Sequence, residues 1–215
     1  MNIRTFQCNM LQENCYVVSD DESGQVVVID CGAWYDAERK AITNYLRSNA
    51  LTLRHVLCTH GHMDHIFGVD TLYQEFGIAP RLHAADHKLY YDMEGQTATM
   101  LGIAFNRPMP PFDQALTDGE VVTFGNSKLL VMHTPGHSPG SVVFYCPDQH
   151  LLFSGDTLFR MGVGRTDLQG GSWQQLAHSL THVLSTLPPE TVVCCGHGPN
   201  TTIGQELRSN PYLSY

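Results

Sequence analysis

The run Thr59-His60-Gly61-His62-Met63-Asp64-His65 places three imidazoles and a carboxylate within six consecutive positions. A packed core has no use for so many strongly hydrated groups in a row. The chain must therefore fold so that they reach a cleft where their nitrogens and oxygens find a common partner. A metal ion suits that role: neutral imidazole and carboxylate oxygen are ligands for Zn²⁺ and also for Fe and Mn, whereas a Cys-rich cluster would point to a closed structural zinc site. No Cys lies inside the run. Ahead of it, His55-Val56-Leu57-Cys58 reads as a short buried strand, and Gly61 loosens the backbone. The ligands thus sit on a strand-to-helix turn, with His60 and His62 placed to serve one ion and Asp64 and His65 a second.

The same arrangement recurs along the chain. Val26-Val27-Val28-Ile29 is an apolar run that delivers Asp30 beside Gly32, and Leu129-Leu130-Val131-Met132 leads into Thr134-Pro135-Gly136-His137. A hairpin is expected over 141–146 and 151–153 around Pro147-Asp148, its second strand running into Ser154-Gly155-Asp156. A last strand at 191–195 hands over to Gly196-His197-Gly198. Helical spacing marks 36–49, with Asp36 placed to cap, and 67–76, closed by Gly77. Ser172-Trp173-Gln174-Gln175 resembles a capping box opening a helix that Pro188 and Pro189 stop. A short strand at 80–83 and a weak helix at 85–92 follow the second helix, and 94–112, with three prolines, reads as an irregular surface excursion. Strands and helices alternate in both halves, which predicts α/β layers with the site gathered along one edge of the sheets.

A chain of 215 residues suits a single domain over 1–215 with a sizeable core. With 42% hydrophobic and 15% charged residues it reads as globular, and no apolar stretch is long enough to span a bilayer. Met1-Asn2-Ile3-Arg4-Thr5-Phe6 lacks the features of a signal peptide, so a cytoplasmic location is expected. Seven cysteines without CxxC spacing read as small buried residues kept reduced, and Cys194 and Cys195 point to opposite faces of their strand. A net charge of −9 argues against nucleic acid as a partner and favours a small-molecule substrate.

His60, His62, Asp64, His65, His137, Asp156 and His197 are then the candidate ligands, too many for one tetrahedral ion. They suit two ions that share a carboxylate and keep open positions. His60, His62 and His137 are assigned to the first ion, Asp64, His65 and His197 to the second, and Asp156 to the bridge. Asp64 and Asp156 are also the candidate catalytic carboxylates. His55, His83, His87, His133, His150, His178 and His182 are read as surface or core residues; His178 and His182, four apart on a helix, are read as a solvated face.

Strand-borne Asp30, the run at 59–65, Thr134-Pro135-Gly136-His137, Ser154-Gly155-Asp156-Thr157 and Cys195-Gly196-His197-Gly198 together resemble the metallo-β-lactamase superfamily over essentially the full chain. The resemblance implies an αβ/βα sandwich with a dinuclear site between its halves. It also implies a pair of divalent ions, most often Zn with Fe or Mn as alternatives, and a role for Asp30 in orienting a ligand histidine. Gly155-Asp156-Thr157-Leu158-Phe159, and Gly196-His197-Gly198-Pro199 with Thr201-Thr202-Ile203-Gly204, are similar to the short single-domain relatives of glyoxalase II. Those hydroxyacylglutathione hydrolases cleave S-acyl thioesters such as S-lactoylglutathione, which implies attack by a metal-bridging hydroxide on a thioester carbonyl.

Several positions depart from that pattern. The chain is expected to lack the helical C-terminal domain of full-length glyoxalase II, since it runs only about eighteen residues past His197. Arg165 occupies the place of a family Lys that contacts a glutathione carboxylate, Asp167 replaces a nearby Tyr, and Pro199 replaces a second Tyr. Arg165 is therefore read either as the substrate-binding cation or as an ion-pair partner of Asp167. Bacterial β-lactamases of this fold often place Cys where this chain has Asp64, which disfavours antibiotic hydrolysis. As an alternative, Gly162-Val163-Gly164-Arg165-Thr166-Asp167 resembles persulfide dioxygenases of the superfamily, which hold one iron through residues matching His60, His137 and Asp156.

Overall fold

The computed structural model describes residues 1–112 and 114–213. Among them, five strands form a first sheet in sequence order: β1 (Asn2–Cys8), β2 (Glu13–Ser19), β3 (Gln25–Ile29), β4 (Thr52–Leu57) and β5 (Pro80–Arg81). β1 to β3 pair antiparallel, and β3 to β5 parallel. The second sheet opens with β6 (Val121–Phe124), β7 (Ser127–His133), β8 (Val142–Cys146) and β9 (Leu151–Gly155). After a two-stranded ribbon of β10 (Leu158–Phe159) and β11 (Gly162–Val163), it is completed by β12 (Val192–Cys195) and β13 (Thr201–Thr202) in the order β13-β12-β9-β8-β7-β6.

Strand periodicity builds three layers of core from this arrangement. Successive side chains leave opposite faces. Val26 and Val28 of β3 accordingly face a cluster with Ile42 and Leu46 of α1 (Asp36–Ser48), Ile66 of α2 (Met63–Ile66) and Leu72 of α3 (Val69–Phe76). Val27 and Ile29 face the opposite way, onto Val131, Phe144 and Phe153 of the second sheet. On that sheet, Val143, Tyr145, Val193 and Cys195 turn outward under Leu176 of α6 (Trp173–His178) and Ile203 of α7 (Ile203–Ser209). The result is the expected αβ/βα sandwich. Cys194 and Cys195 fall into different clusters, as their alternation requires, and all seven cysteines are buried and free. No helix among the described residues is long and apolar enough to cross a membrane.

Three expectations need correction. The stretch read as an irregular excursion begins with α5 (Met93–Leu101), preceded by α4 (His87–Tyr91). Its sequence carries little amphipathic pattern, because Gly95, Thr97 and Thr99 interrupt the apolar positions. Tertiary contacts hold it instead: Gln96 accepts from Met63 N at 3.1 Å and donates to the carbonyls of Gly61 and Leu89. At α1, Asp36 is the first helical residue, and Glu38 does the capping by accepting from Trp34 N and Tyr35 N at 2.9 and 3.0 Å. Ser172 does cap α6 through Gln175 N, but its own N–H donates to Gly136 O, so the second arm of the box is not made. Beyond α6 the helix widens into a π turn over Ser179–Val183 and tightens over Leu184–Thr186, keeping Leu176, Leu180 and Leu184 on the core.

Candidate metal centre

The loops that follow β3, β4, β7, β9 and β12 open along one edge of the sandwich, so Asp30, residues 59–65, His137, Asp156 and His197 meet there. Between Cys194 and Cys195 the pairing of β12 with β9 slips by one residue, a bulge at the point where strand gives way to ligand loop. Glycines make the close approach possible. A Cβ on Gly196 would lie 2.5 Å from Asp156 Oδ1 and 2.8 Å from the His65 ring.

Asp30 ends β3 in the left-handed region at φ 53°, a conformation Asp tolerates better than most residues. Its Oδ1 accepts from Thr59 N at 2.7 Å, and its Oδ2 accepts from Thr59 Oγ1 at 2.7 Å and faces His65 Nδ1 at 3.0 Å. Thr59 Oγ1 lies 3.0 Å from His60 Nδ1. With their Nδ1 atoms held from behind, His60 and His65 turn Nε2 into the centre. Both Nε2 atoms, and Asp156 Oδ1, are buried without a hydrogen-bond partner among the described residues. Orphaned buried acceptors of this kind fit a cation.

Among the overlapping groups of three candidate ligands that form around them, two have no residue in common. His60, His62 and His137 make the first, with His62 Nδ1 at 2.8 Å from His137 Nε2 and His137 Nδ1 at 2.7 Å from the Arg165 carbonyl. Asp64, His65 and His197 make the second, with Asp64 Oδ2 at 3.2 Å from His197 Nε2 and 3.8 Å from His65 Nε2. Asp156 lies between: Oδ2 is 3.5 Å from His137 Nε2, while Oδ1 is 3.1 Å from His65 Nε2 and 3.7 Å from His197 Nε2. All seven residues singled out in the sequence are thus brought together. The other histidines join no such group among the described residues; His178 and His182 stack their rings at 4.3 Å rather than converging on a point.

The electrostatics differ across the centre. Burial, reinforced by neighbouring imidazoles, drives His60 well below the ordinary range and His62 down to about 3, so both stand as neutral donors. Burial also opposes charge on His65, but the carboxylates of Asp156, Asp64 and Asp30 outweigh it and raise His65. Burial opposes charge on Asp156 too, yet the nearby charge of His65 holds that carboxyl well below its usual range. A field strong enough to keep a proton on a buried imidazole is one that a divalent cation would neutralise.

Several supports carried no signal in the sequence. Asp86, fully buried, accepts from Gly61 N at 2.8 Å, Ser138 Oγ at 2.6 Å and Gly140 N at 2.6 Å, tying the loop of His60 and His62 to that of His137. The turn between β1 and β2, with Asn14 at the start of β2, ties the other loops. Asn9 Nδ2 donates to the Gly32 and Asp64 carbonyls, Leu11 O lies 3.0 Å from His197 Nδ1, and Asn14 Nδ2 donates to the Cys195 and Gly198 carbonyls. Glu13, wholly buried behind His65, is driven well above the usual carboxyl range by burial. Only the long-range meeting of these segments gives such residues their meaning. Arg165 Nε and Nη2 each donate at 2.7 Å to Asp167, its side chain also lines the cavity in front of the centre, and its backbone carbonyl is what holds His137. A cavity of about 450 Å³ opens in front of the centre, walled by Leu11, Met63, Leu89, Met100 and Leu168.

Comparison with known proteins agrees with this geometry. A family described as the Metallo-beta-lactamase superfamily matches residues 8–197. The chain is 36% identical to the probable metallo-hydrolase YqgX of Bacillus subtilis, over 100% of this chain and 98% of that one. It is 33% identical to the hydroxyacylglutathione hydrolase GloC of Haemophilus influenzae, over 100% and 99%. Among solved structures, the BLEG-1 B3 metallo-beta-lactamase superposes with a TM-score of 0.91 at 37% identity, covering 100% of both chains. TTHA1623 in a di-iron-bound form gives 0.86 at 39%, covering 98% and 100%. ETHE1 from Myxococcus xanthus gives 0.77 at 29%, covering 98% and 84%.

Proposed function

The chain belongs to the metallo-beta-lactamase superfamily, and on that premise we propose that it is a dinuclear metal-dependent hydrolase of small-molecule thioesters, similar to glyoxalase II. One observation carries the reading: two three-residue groups flank Asp156, whose Oδ2 faces His137 of one and Oδ1 faces His65 of the other, with buried donor atoms turned toward a common centre. Whole-length likeness to GloC supports thioester chemistry. His60, His62 and His137 would hold one ion, Asp64, His65 and His197 the other, with Asp156 shared. Zn suits these donors, and the di-iron form of TTHA1623 keeps iron beside it.

Divalent ions bound there would supply a water of lowered pKa and polarise the thioester carbonyl. The protein's own groups do the rest. Asp30 Oδ2 holds the Nδ1 proton of His65, and the Arg165 carbonyl holds that of His137, fixing the tautomers that leave Nε2 free. The apolar walls receive the acyl chain and exclude bulk water from the reacting carbon.

Metal analysis of purified protein together with an assay on S-acyl thioesters tests the proposal. About two metal equivalents and thioester hydrolysis are expected. One equivalent of iron with oxygen uptake on a persulfide would favour the dioxygenase alternative, for which the supporting observation is the likeness to ETHE1. Hydrolysis of a chromogenic cephalosporin in preference to thioesters would move the substrate to lactams, toward which the likeness to BLEG-1 points.

A further inference from the structure

Outside the candidate ligands, two charged side chains line the cavity, Arg165 and Asp92. Arg165 does not present a free guanidinium. Its Nε and Nη2 each donate at 2.7 Å to separate oxygens of Asp167, the same two-point match that an incoming carboxylate would need. The pair is exposed, with 54% and 68% of the two side chains accessible, so it adds little to the fold. Its effect falls on whatever approaches the cavity. Asp92 makes no ion pair among the described residues; it stands at the start of α5, where Gly95 leaves room for its carboxylate. Arg165, Asp167 and Asp92 together leave one negative charge at the mouth, in a chain whose net charge is −9.

We propose that Asp167 masks Arg165 and, with Asp92, makes the cavity select thioesters of neutral or amine-bearing thiols with apolar acyl groups, against thiols that carry carboxylates. This deepens the thioester reading and rests on it for the chemical class. A carboxylate-bearing thiol would have to displace Asp167 from a bidentate contact already made within the chain, and would do so against the field of Asp92 and the acidic surface. An amine could pair with Asp92 at the mouth, and a neutral thiol would meet neither obstacle. The apolar wall formed by Leu11, Leu89, Met100 and Leu168 suits the acyl chain of any of them.

The test measures binding of three non-hydrolysable thioethers to the metal-loaded protein by calorimetry. S-hexyl-N-acetylcysteamine is neutral, S-hexylcysteamine carries an amine, and S-hexylglutathione carries two carboxylates and an amine. Hydrolysis of the matching S-acyl thioesters is followed in parallel. The first two ligands are expected to bind about tenfold more tightly than the third, and the gap should narrow as salt is added. Asp167→Asn, similar in size but uncharged, should release Arg165 and narrow the gap by about threefold or more. Asp92→Asn should weaken the amine-bearing ligand by about threefold relative to the neutral one. Equal or tighter binding of S-hexylglutathione by the unaltered protein, an unchanged ratio in Asp167→Asn, or no binding of any thioether would overturn the proposal. Selective thioether binding with no thioester cleaved would leave charge selection standing and remove the thioesterase reading. Thioester cleavage with glutathione preferred would do the reverse.

Discussion

The two halves of the centre are built from unlike parts. His60, His62 and His137 are all imidazole and all buried, and each is steadied by its neighbourhood: Thr59 Oγ1 behind His60, the Arg165 carbonyl behind His137, and Asp86 between their loops. Asp64, His65 and His197 include a carboxylate, sit in the field of Asp30 and Asp156, and reach solvent through His197, whose side chain is 27% exposed and tied to a turn by Leu11 O. One sheet edge thus yields a closed, all-imidazole group and a more open one that includes a carboxylate. The difference arises because Asp86 ties together the two loops of the first group, whereas the second leans on Asp30 and on the turn between β1 and β2. His60 and His62 should take up a cation without releasing a proton, whereas the second group does so only by displacing the proton of His65.

Removing what the halves share should produce the largest effect. Asp156→Ala is expected to lower hydrolysis by about 10²–10³-fold and to reduce both metal occupancies, because its two oxygens face different groups. Loss of only one equivalent by elemental analysis would show that the carboxylate serves a single ion. Asp30→Asn should separate the halves. Asp30 Oδ2 faces His65 directly but reaches His60 only through Thr59, so affinity should fall by about 10–100-fold at the second group and by less at the first. Titration with a chelator reads the two affinities, and equal losses would contradict the contrast.

The halves should also respond to pH in opposite directions in metal-free protein. His62 titrates at about 3 in the fold against 6.5 when unfolded, so the unfolded chain binds the extra proton between those values. Its contribution is present above 6.5 and is lost as pH falls toward 3. His65 is raised above 6.5, so its contribution is present below that value and is lost as pH rises through the folded pKa. Melting curves of the wild type, His62→Gln and His65→Gln check this. His62→Gln should blunt the loss of stability toward about pH 5, by about 1–2 kcal/mol, and His65→Gln should cost less at about pH 9 than at about pH 6. A shared direction for both variants would mean that the halves are electrostatically alike.

Asp86→Asn probes the closed half alone. The new amide turns one acceptor into a donor facing Gly61 N–H, Gly140 N–H or the Ser138 hydroxyl, leaving a buried N–H unpaired. Metal affinity of the first group should drop by about tenfold while the second is little changed. Asp86 was not legible in the sequence, and the reason is general. The candidate ligands announced themselves because polar residues crowd beside glycines at strand ends, and because the alternation of Val26 to Ile29 and of Cys194 and Cys195 dictates which face each side chain takes. Those are local signals. Asp86, Asn9, Asn14 and Gln96 act on segments distant in sequence, 181 residues away for Asn14 and Cys195, and a lone polar residue carries no mark of such a partner. α5 was missed for the same reason, since Gln96 and its contacts hold a helix that its own pattern does not specify.

The smallest effect, and the one that best sharpens the contrast, is expected at Arg165. From the sequence alone its side chain had two readings, whereas its backbone had none. In the fold the carbonyl performs the structural task by holding His137, and the guanidinium is spent on Asp167 at the surface. Truncation leaves the carbonyl in place, so the closed half should keep its ion. Arg165→Ala is accordingly expected to change metal content undetectably and to alter kcat/KM for a neutral thioester by less than about threefold, as an exposed ion pair contributes little. Arg165→Pro should behave differently. Pro fixes φ and restricts the residue before it, and Gly164 is closely packed against Asp156 and His137, so this variant is expected to move the carbonyl itself. If Arg165→Ala empties the first group as Arg165→Pro does, the side chain and not the backbone is what positions His137.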